Sequence, residues 1–192
     1  AALRVELAGA ARRFRETVGD LDLVAASREP SALAERLAGF PLVAEVLARG
    51  ETKTTVRLAS GMQVDLRIVP EEEFATLPRH RSGSKAHHVK LRGLARDAGY
   101  TLSEWGLFTL AGETKVRIAS EEELYAALGL AYVPPELRED QGEVEAARDG
   151  TLPADLVRME DVRGLVHCHT TASDGRATLL EMARAADALG AE

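Results

Sequence analysis

Residues 52–58 and 62–69 are two runs rich in Val, Thr and Ile, and only Ala59-Ser60-Gly61 separates them. Two such runs joined by three residues ending in glycine specify a β-hairpin and commit this part of the chain to a sheet. Residues 4–8 alternate polar and apolar, and 21–25 read the same way, which predicts two further strands. Helical signals fall between them. Pro30-Ser31 opens a helix with Ser31 as N-cap and Leu33 and Leu37 on one face, and 42–48 reads as a second short helix stopped by Gly50. Pro70-Glu71-Glu72-Glu73 reads as a further helix start, with acids where the helix dipole favours them. Downstream, 84–98 predicts a helix ended by Gly99. Leu102, Trp105 and 107–110 suggest a strand that turns at 111–113 and returns over 115–118. Ser120-Glu121-Glu122-Glu123 opens a helix ending at Gly129. Residues 132–153 are acidic, carry Pro134-Pro135 and Gly142, and read as an irregular connector. A last strand (165–169), a polar loop and a helix (178–189) follow. The fold class predicted is α+β or mixed α/β. One strand and one helix cannot bury a core of their own, so the final unit reads as the beginning of something longer.

Hydrophobic residues make up 45% of the 192, enough for a core, and mean hydropathy is −0.14. No run approaches the roughly 18 apolar residues that span a bilayer, and no signal peptide opens the chain. The one cysteine, Cys168, excludes an intramolecular disulfide framework and fits a reducing, cytoplasmic compartment. The net charge of −7 would argue against nucleic-acid binding, but it is unevenly spread. Residues 1–110 hold 16 Lys/Arg against 14 Asp/Glu, and the remainder holds 8 against 17. Arg79, Arg81, Lys85, Lys90, Arg92 and Arg96 run without an acid between them, and His80, His87 and His88 share that stretch.

Three constellations carry chemistry. In Gly19-Asp20-Leu21-Asp22 the two carboxylates are two apart, and on a strand they share a face. Asp65 sits in a second strand between Val64 and Leu66. Such carboxylates are either solvated strand faces or a hard, all-oxygen site for Mg²⁺ or Mn²⁺. A site of that kind serves in-line phosphoryl or nucleotidyl transfer, with Arg12, Arg13 and Arg15 upstream as partners for phosphate oxygens. The second constellation, Gly83-Ser84-Lys85-Ala86-His87-His88-Val89-Lys90-Leu91-Arg92, opens a helix whose free N–H groups suit an anion. Lys85, His88 and Arg92 share one face there, which is either phosphate-facing or simply solvated. In the third, His167-Cys168-His169 puts two imidazoles on one strand face and a polar loop brings in Asp174. This is spacing for Zn²⁺ or Mn²⁺, unless the histidines are incidental. Cys168, between them, is expected to point the other way, buried and inert.

Residues 9–24, Gly-Ala-Ala-Arg-Arg-Phe-Arg-Glu-Thr-Val-Gly-Asp-Leu-Asp-Leu-Val, resemble the palm motif of family X DNA polymerases, relatives of DNA polymerase beta. That pattern runs Gly-Ser-x-Arg-Arg-Gly, then Gly-Asp-x-Asp, with a third Asp on a later strand that Asp65 matches. The resemblance implies transfer of a deoxynucleotide to a DNA 3′-hydroxyl, with Asp20 and Asp22 holding two metals and Asp65 the catalytic one. Gly9, Arg13 and Gly19 match nucleotide-binding positions. Residues 80–92 and Leu102-Ser103-Glu104-Trp105-Gly106-Leu107-Phe108 resemble the family's thumb. There His80, Arg81, Gly83 and His88 stand at nucleotide-binding positions, and Lys85, Lys90 and Arg92 at DNA-facing ones. Four kinds of departure stand out: Ala10 replaces the Ser, Phe14 a Gly, His80-Arg81 an aromatic pair, and His88 an Asn. Residues 165–175 resemble the opening motif of the PHP phosphoesterase domain, which follows the thumb in many bacterial members. In that domain His167, His169 and Asp174 would be metal ligands.

The resemblance divides the chain into a palm (1–75), a thumb (76–132), a connector (133–160) and a PHP stub (161–192). The expected partners are gapped or primer-template DNA and deoxynucleoside triphosphates, with no membrane and a monomeric state. Other readings stay open: a nucleotidyltransferase with another acceptor, a DNA-binding module weakened in catalysis, or a chain whose main activity is that of the phosphoesterase.

Overall fold

The computed structural model describes residues 2–71, 74 and 77–191, the side chains of 77–79 and 159 apart. The chain divides after Leu152 into two units.

The first unit opens with β1 (Ala2–Leu7), a single helical turn α1 (Gly9–Arg12), β2 (Asp20–Ser27) and α2 (Pro30–Ala38), followed by β3 (Val43–Arg49), β4 (Lys53–Leu58) and β5 (Gln63–Val69). The five strands form one sheet in the order β1-β2-β5-β4-β3. The β4–β5 hairpin forms where the Val/Thr/Ile runs predict it. β2 and β5 are the one parallel pair among these strands, with Asp22 opposite Asp65 and Ala25 opposite Ile68. Parallel neighbours need a long crossover, and α2, β3 and β4 supply it. Alternation along β2 separates two small cores. Val24 and Ala26 pack with Ala8, Val69 and Phe74 on one face. Ala25 packs with Ala34, Leu66 and Ile68 on the other, under α2. Residues 20 and 22 have the parity of Val24, so both acids belong to the face opposite α2.

Continuing the unit, α3 (Leu77–Ser82) leads into α4 (Lys85–Asp97), the hairpin β6 (Tyr100–Ser103) and β7 (Gly106–Thr109), α5 (Glu121–Ala127), a 3₁₀ turn (Pro135–Leu137) and α6 (Glu143–Asp149). Ser84 caps α4 and Ser120 caps α5 through their hydroxyls. Leu91, Ala95, Leu102, Leu107, Leu124 and Tyr125 form its largest core, together with Val133, Val144 and Ala147.

Several sequence expectations are corrected. Residues 42–48 are strand, not helix: β3 pairs antiparallel with β4, and the free edge of a strand outweighs local propensity. Glu29 rather than Ser31 is the N-cap of α2, because Pro30 takes the first helical position. Residues 115–118 form no strand, only a bridge between Phe108 and Lys115. Residues 102–110 bend into a hairpin at Glu104-Trp105. The stretch 132–153 holds α6 and buries Val133, Arg138, Val144 and Ala147. The helix start at 70–73 lies partly outside the described residues.

The second unit, Pro153–Glu192, holds a 3₁₀ turn (Met159–Asp161) and α7 (Leu179–Ala188), closed by a reciprocal capping box between Thr178 and Glu181. Residues 165–169 are not a strand. No partner strand is assigned beside them among the described residues, and His167 has φ near +57°, which breaks an extended run. Cys168, expected to be buried, is exposed.

Candidate active site

The sheet places the carboxylates. Asp22 and Asp65 are register partners on neighbouring parallel strands, so their side chains leave the sheet on one face, with Asp20 one pleat along. Burial raises the Asp22 pKa above the ordinary aspartate value. Arg81 opposes that rise, and the negative charges of Asp20 and Asp65 add to it. The Arg81 guanidinium stands 3.6 Å from Asp22 Oδ1. Asp65 goes the other way. Burial pushes it up, but bonds from the Thr55 hydroxyl, the Gln63 amide and Lys53 outweigh this and hold it below the usual range. Gly9, at φ near +62°, sits directly against Asp22, and a Cβ there would run into the carboxylate. Gly19 has open space around it. As placed, no three His, Cys, Asp or Glu side chains among the described residues stand together in a metal-holding group. Asp65 is turned to Thr55, Gln63 and Lys53, while Asp22 faces Arg81. The donor set nonetheless suits a hard cation: three carboxylates on one face, a crowded Asp22 and two cationic side chains already drawn to them.

The basic residues are distributed more selectively than their sequence run suggests. Arg13 reaches from the end of α1 to donate from Nε to Glu139 at 2.7 Å and from Nη1 to the Ser82 carbonyl, with Gly83 packed on the same Nη1. Arg12 binds Glu121 at 2.6 Å and the Ser82 hydroxyl at 2.9 Å. His80 and His88 stack with ring centroids 5.1 Å apart, and Arg92 Nη2 lies 3.1 Å from His80 Nε2, so three predicted contact residues form one group. Lys85 and Arg92 are exposed. Lys90, read as DNA-facing, is turned instead to Asp140 and Glu145, each at 2.8 Å, and these two carboxylates raise its pKa.

Sequence reasoning missed the charged centre beneath this surface. His87 is fully buried, with Nδ1 2.6 Å from Glu143 Oε1 and Nε2 2.8 Å from the Tyr125 hydroxyl. Arg138 is also fully buried. It pairs with Glu121 at 2.7 Å, donates to the Val133 carbonyl, and lies over the rings of Tyr125 and Tyr132. The available signal was an arginine, Arg138, among the acids of 136–145, where a charge can be buried only if paired.

In the second unit His167 and His169 lie with ring centroids 4.8 Å apart, and His169 Nδ1 bonds Asp174 Oδ1. The three predicted ligands are therefore brought near one another, though not into a closed metal group.

A face of three carboxylates, a basic helix and a small hairpin thus lie in the first unit. Residues 79–139 match the family model of the DNA polymerase beta thumb. The chain is 40% identical over 186 residues, 95% of its length, to the DNA polymerase/3'-5' exonuclease PolX of Bacillus subtilis (strain 168). It is 37% identical over 78 residues, 40% of its length, to the human DNA-directed DNA/RNA polymerase mu. Together these matches support a bacterial family X DNA polymerase. It spans 32% of the length of the Bacillus protein and 16% of the human one.

Among the described residues no helix is long and apolar enough to cross a membrane.

Proposed function

We propose that this chain carries the nucleotidyl-transfer site of a DNA-directed DNA polymerase that fills gaps during repair. The register pairing of Asp22 with Asp65 on parallel strands, with Asp20 on the same face, carries this reading. Asp20 and Asp22 would hold two Mg²⁺ or Mn²⁺ ions, and Asp65 would share the one nearer the primer. When bound, the ions lower the pKa of the attacking hydroxyl and offset charge on the leaving oxygen. The chain's own residues do the rest. Asp65 would accept or relay the 3′-hydroxyl proton. Gly9 leaves room for the Asp22 carboxylate beside it, and Arg13 would supply a planar pair of donors to the triphosphate. His80, Arg81, Gly83 and His88 would border the incoming sugar and base, and Lys85 and Arg92 the DNA backbone. The relative's name, a DNA polymerase, supports the reading.

The test is incorporation of labelled deoxynucleotides on one-nucleotide-gapped DNA, against an RNA-primer panel. Extension of gapped DNA that is lost in Asp65→Ala is expected. Equal extension by the wild type and Asp65→Ala would sink the assignment.

A second activity is proposed for the second unit. His167, His169 and Asp174 would be the first ligands of a Zn²⁺ or Mn²⁺ phosphoesterase centre. The proximity of the two imidazoles, the Asp174 bond and the relative's 3'-5' exonuclease name support it.

A further inference from the structure

Glu139 differs from the other acids that meet arginines in the first unit. Glu121 lies between Arg12 and the fully buried Arg138, and ties α1 to the 3₁₀ segment. Glu139 uses one oxygen, Oε1, for two guanidinium groups: Arg13 Nε at 2.7 Å and Arg15 Nη1 at 3.7 Å. Both arginines come from the short turn after α1, next to Gly9 and the Asp22 it packs against. The Arg13 guanidinium also lies against the Gly83 turn, where φ is positive. A carboxylate oxygen and a phosphate oxygen make the same in-plane demand on a guanidinium. One pair of arginines cannot serve both at full strength, and a triphosphate entering beside a resident carboxylate meets like charge.

We infer that Glu139 is a built-in anion that occupies the Arg13–Arg15 pair before nucleotide binds and that the incoming triphosphate displaces, so that this one side chain sets nucleotide affinity. This rests on the reading of Arg13 as a triphosphate contact. Glu139 follows the 3₁₀ turn Pro135–Leu137 and is about one-fifth exposed, so its side chain has a path into solvent. The neighbouring Arg138 stays fixed in the core by Glu121 and the Val133 carbonyl. Displacement thus moves a side chain and leaves the segment anchored.

The test uses the full-length protein and inorganic tripolyphosphate, a probe without base or sugar, by titration calorimetry. Glu139→Gln keeps a bond to Arg13 but removes the charge. It is expected to tighten tripolyphosphate binding roughly 3- to 10-fold and to lower the nucleotide KM by a similar factor with kcat within about twofold. Glu139→Ala should tighten binding in the same direction, with both variants checked for native near-ultraviolet dichroism. Unchanged or weaker binding in both variants overturns the inference, the weaker outcome making Glu139 a support for Arg13. Arg13→Gln separates the two levels. Tripolyphosphate binding that ignores Arg13→Gln overturns the reading of Arg13, whereas binding that needs Arg13 but ignores both Glu139 variants overturns displacement alone.

Discussion

Two charged regions of the first unit are built on opposite plans. Around α5 and α6 every buried charge has a fixed counterpart: Glu121 with Arg12 and Arg138, and His87 with Glu143 and Tyr125. Three carboxylates share one face of β2 and β5, and their cationic neighbours stand off at 3.5 and 3.6 Å. The pKa directions differ accordingly. Glu121 and Glu143 sit below the ordinary glutamate value: burial pushes each up, but Arg138 and Arg12 outweigh it for Glu121, and His87 and backbone N–H groups do so for Glu143. Asp22 is pushed above the ordinary aspartate value by burial and its like-charged neighbours. The first region stores its charges in the fold. The second is mixed: Thr55, Gln63 and Lys53 hold Asp65 below the usual range, while Asp22 stays only partly compensated by Arg81, and the negative field there costs stability and is the form an external cation would relieve.

The comparison predicts opposite responses to removing charge. The largest effect belongs to Asp22→Asn, which should reduce nucleotide incorporation by about 10³-fold or more, roughly 4 kcal/mol. The same variant should not lower the thermal midpoint at neutral pH, and should raise it slightly. A group whose folded pKa is raised contributes stability below its unfolded pKa and loses it as pH rises through the folded one, so at pH 7 its charge is a cost. A clear fall in melting temperature would break the contrast. Next comes Glu121→Ala, which strands the buried Arg138 and should destabilise by about 3 kcal/mol or more in denaturant unfolding. Glu143→Gln should cost about 1–3 kcal/mol at pH 7. Its folded pKa is depressed, so this contribution is present above the ordinary glutamate range and is lost as pH falls through the folded value. Wild-type and Gln midpoints should therefore converge in acid. A gap that persists at low pH would mean that shape, not charge, holds His87. The smallest effect is expected from Lys53→Met, where a half-exposed partner of Asp65 is removed: under about 1 kcal/mol of stability by melting.

What the sequence made legible follows from how local the determinants are. The 52–69 hairpin and the Ser120 opening of α5 are set by residues within a few positions of one another, and they form as read; the caps at Ser84 and at Thr178 with Glu181 are equally local. The 42–48 segment was misread because its state depends on β4, which follows it and offers an open edge. The acid face was visible as Asp-x-Asp plus a strand Asp. Its partners were not, because Arg81 reaches it from α3, and Lys53 and Thr55 from β4. The buried centre was hidden most deeply, since His87, Tyr125 and Glu143 lie up to 56 positions apart. The 165–169 reading failed for lack of a neighbour: a lone strand leaves its backbone groups unpaired.

The depth to which 133–147 enters the core has a practical side. Val133, Arg138, Val144 and Ala147 would be lost by a protein cut at residue 132, the point where the primary structure suggests the thumb ends. Such a fragment would expose Leu91, Leu124 and the Tyr125 hydroxyl, and should be recovered from cells as insoluble material. A cut after Leu152 keeps those four side chains in place. Expression libraries that shuffle modules among these enzymes should therefore place their joints some 20 residues beyond the apparent thumb boundary.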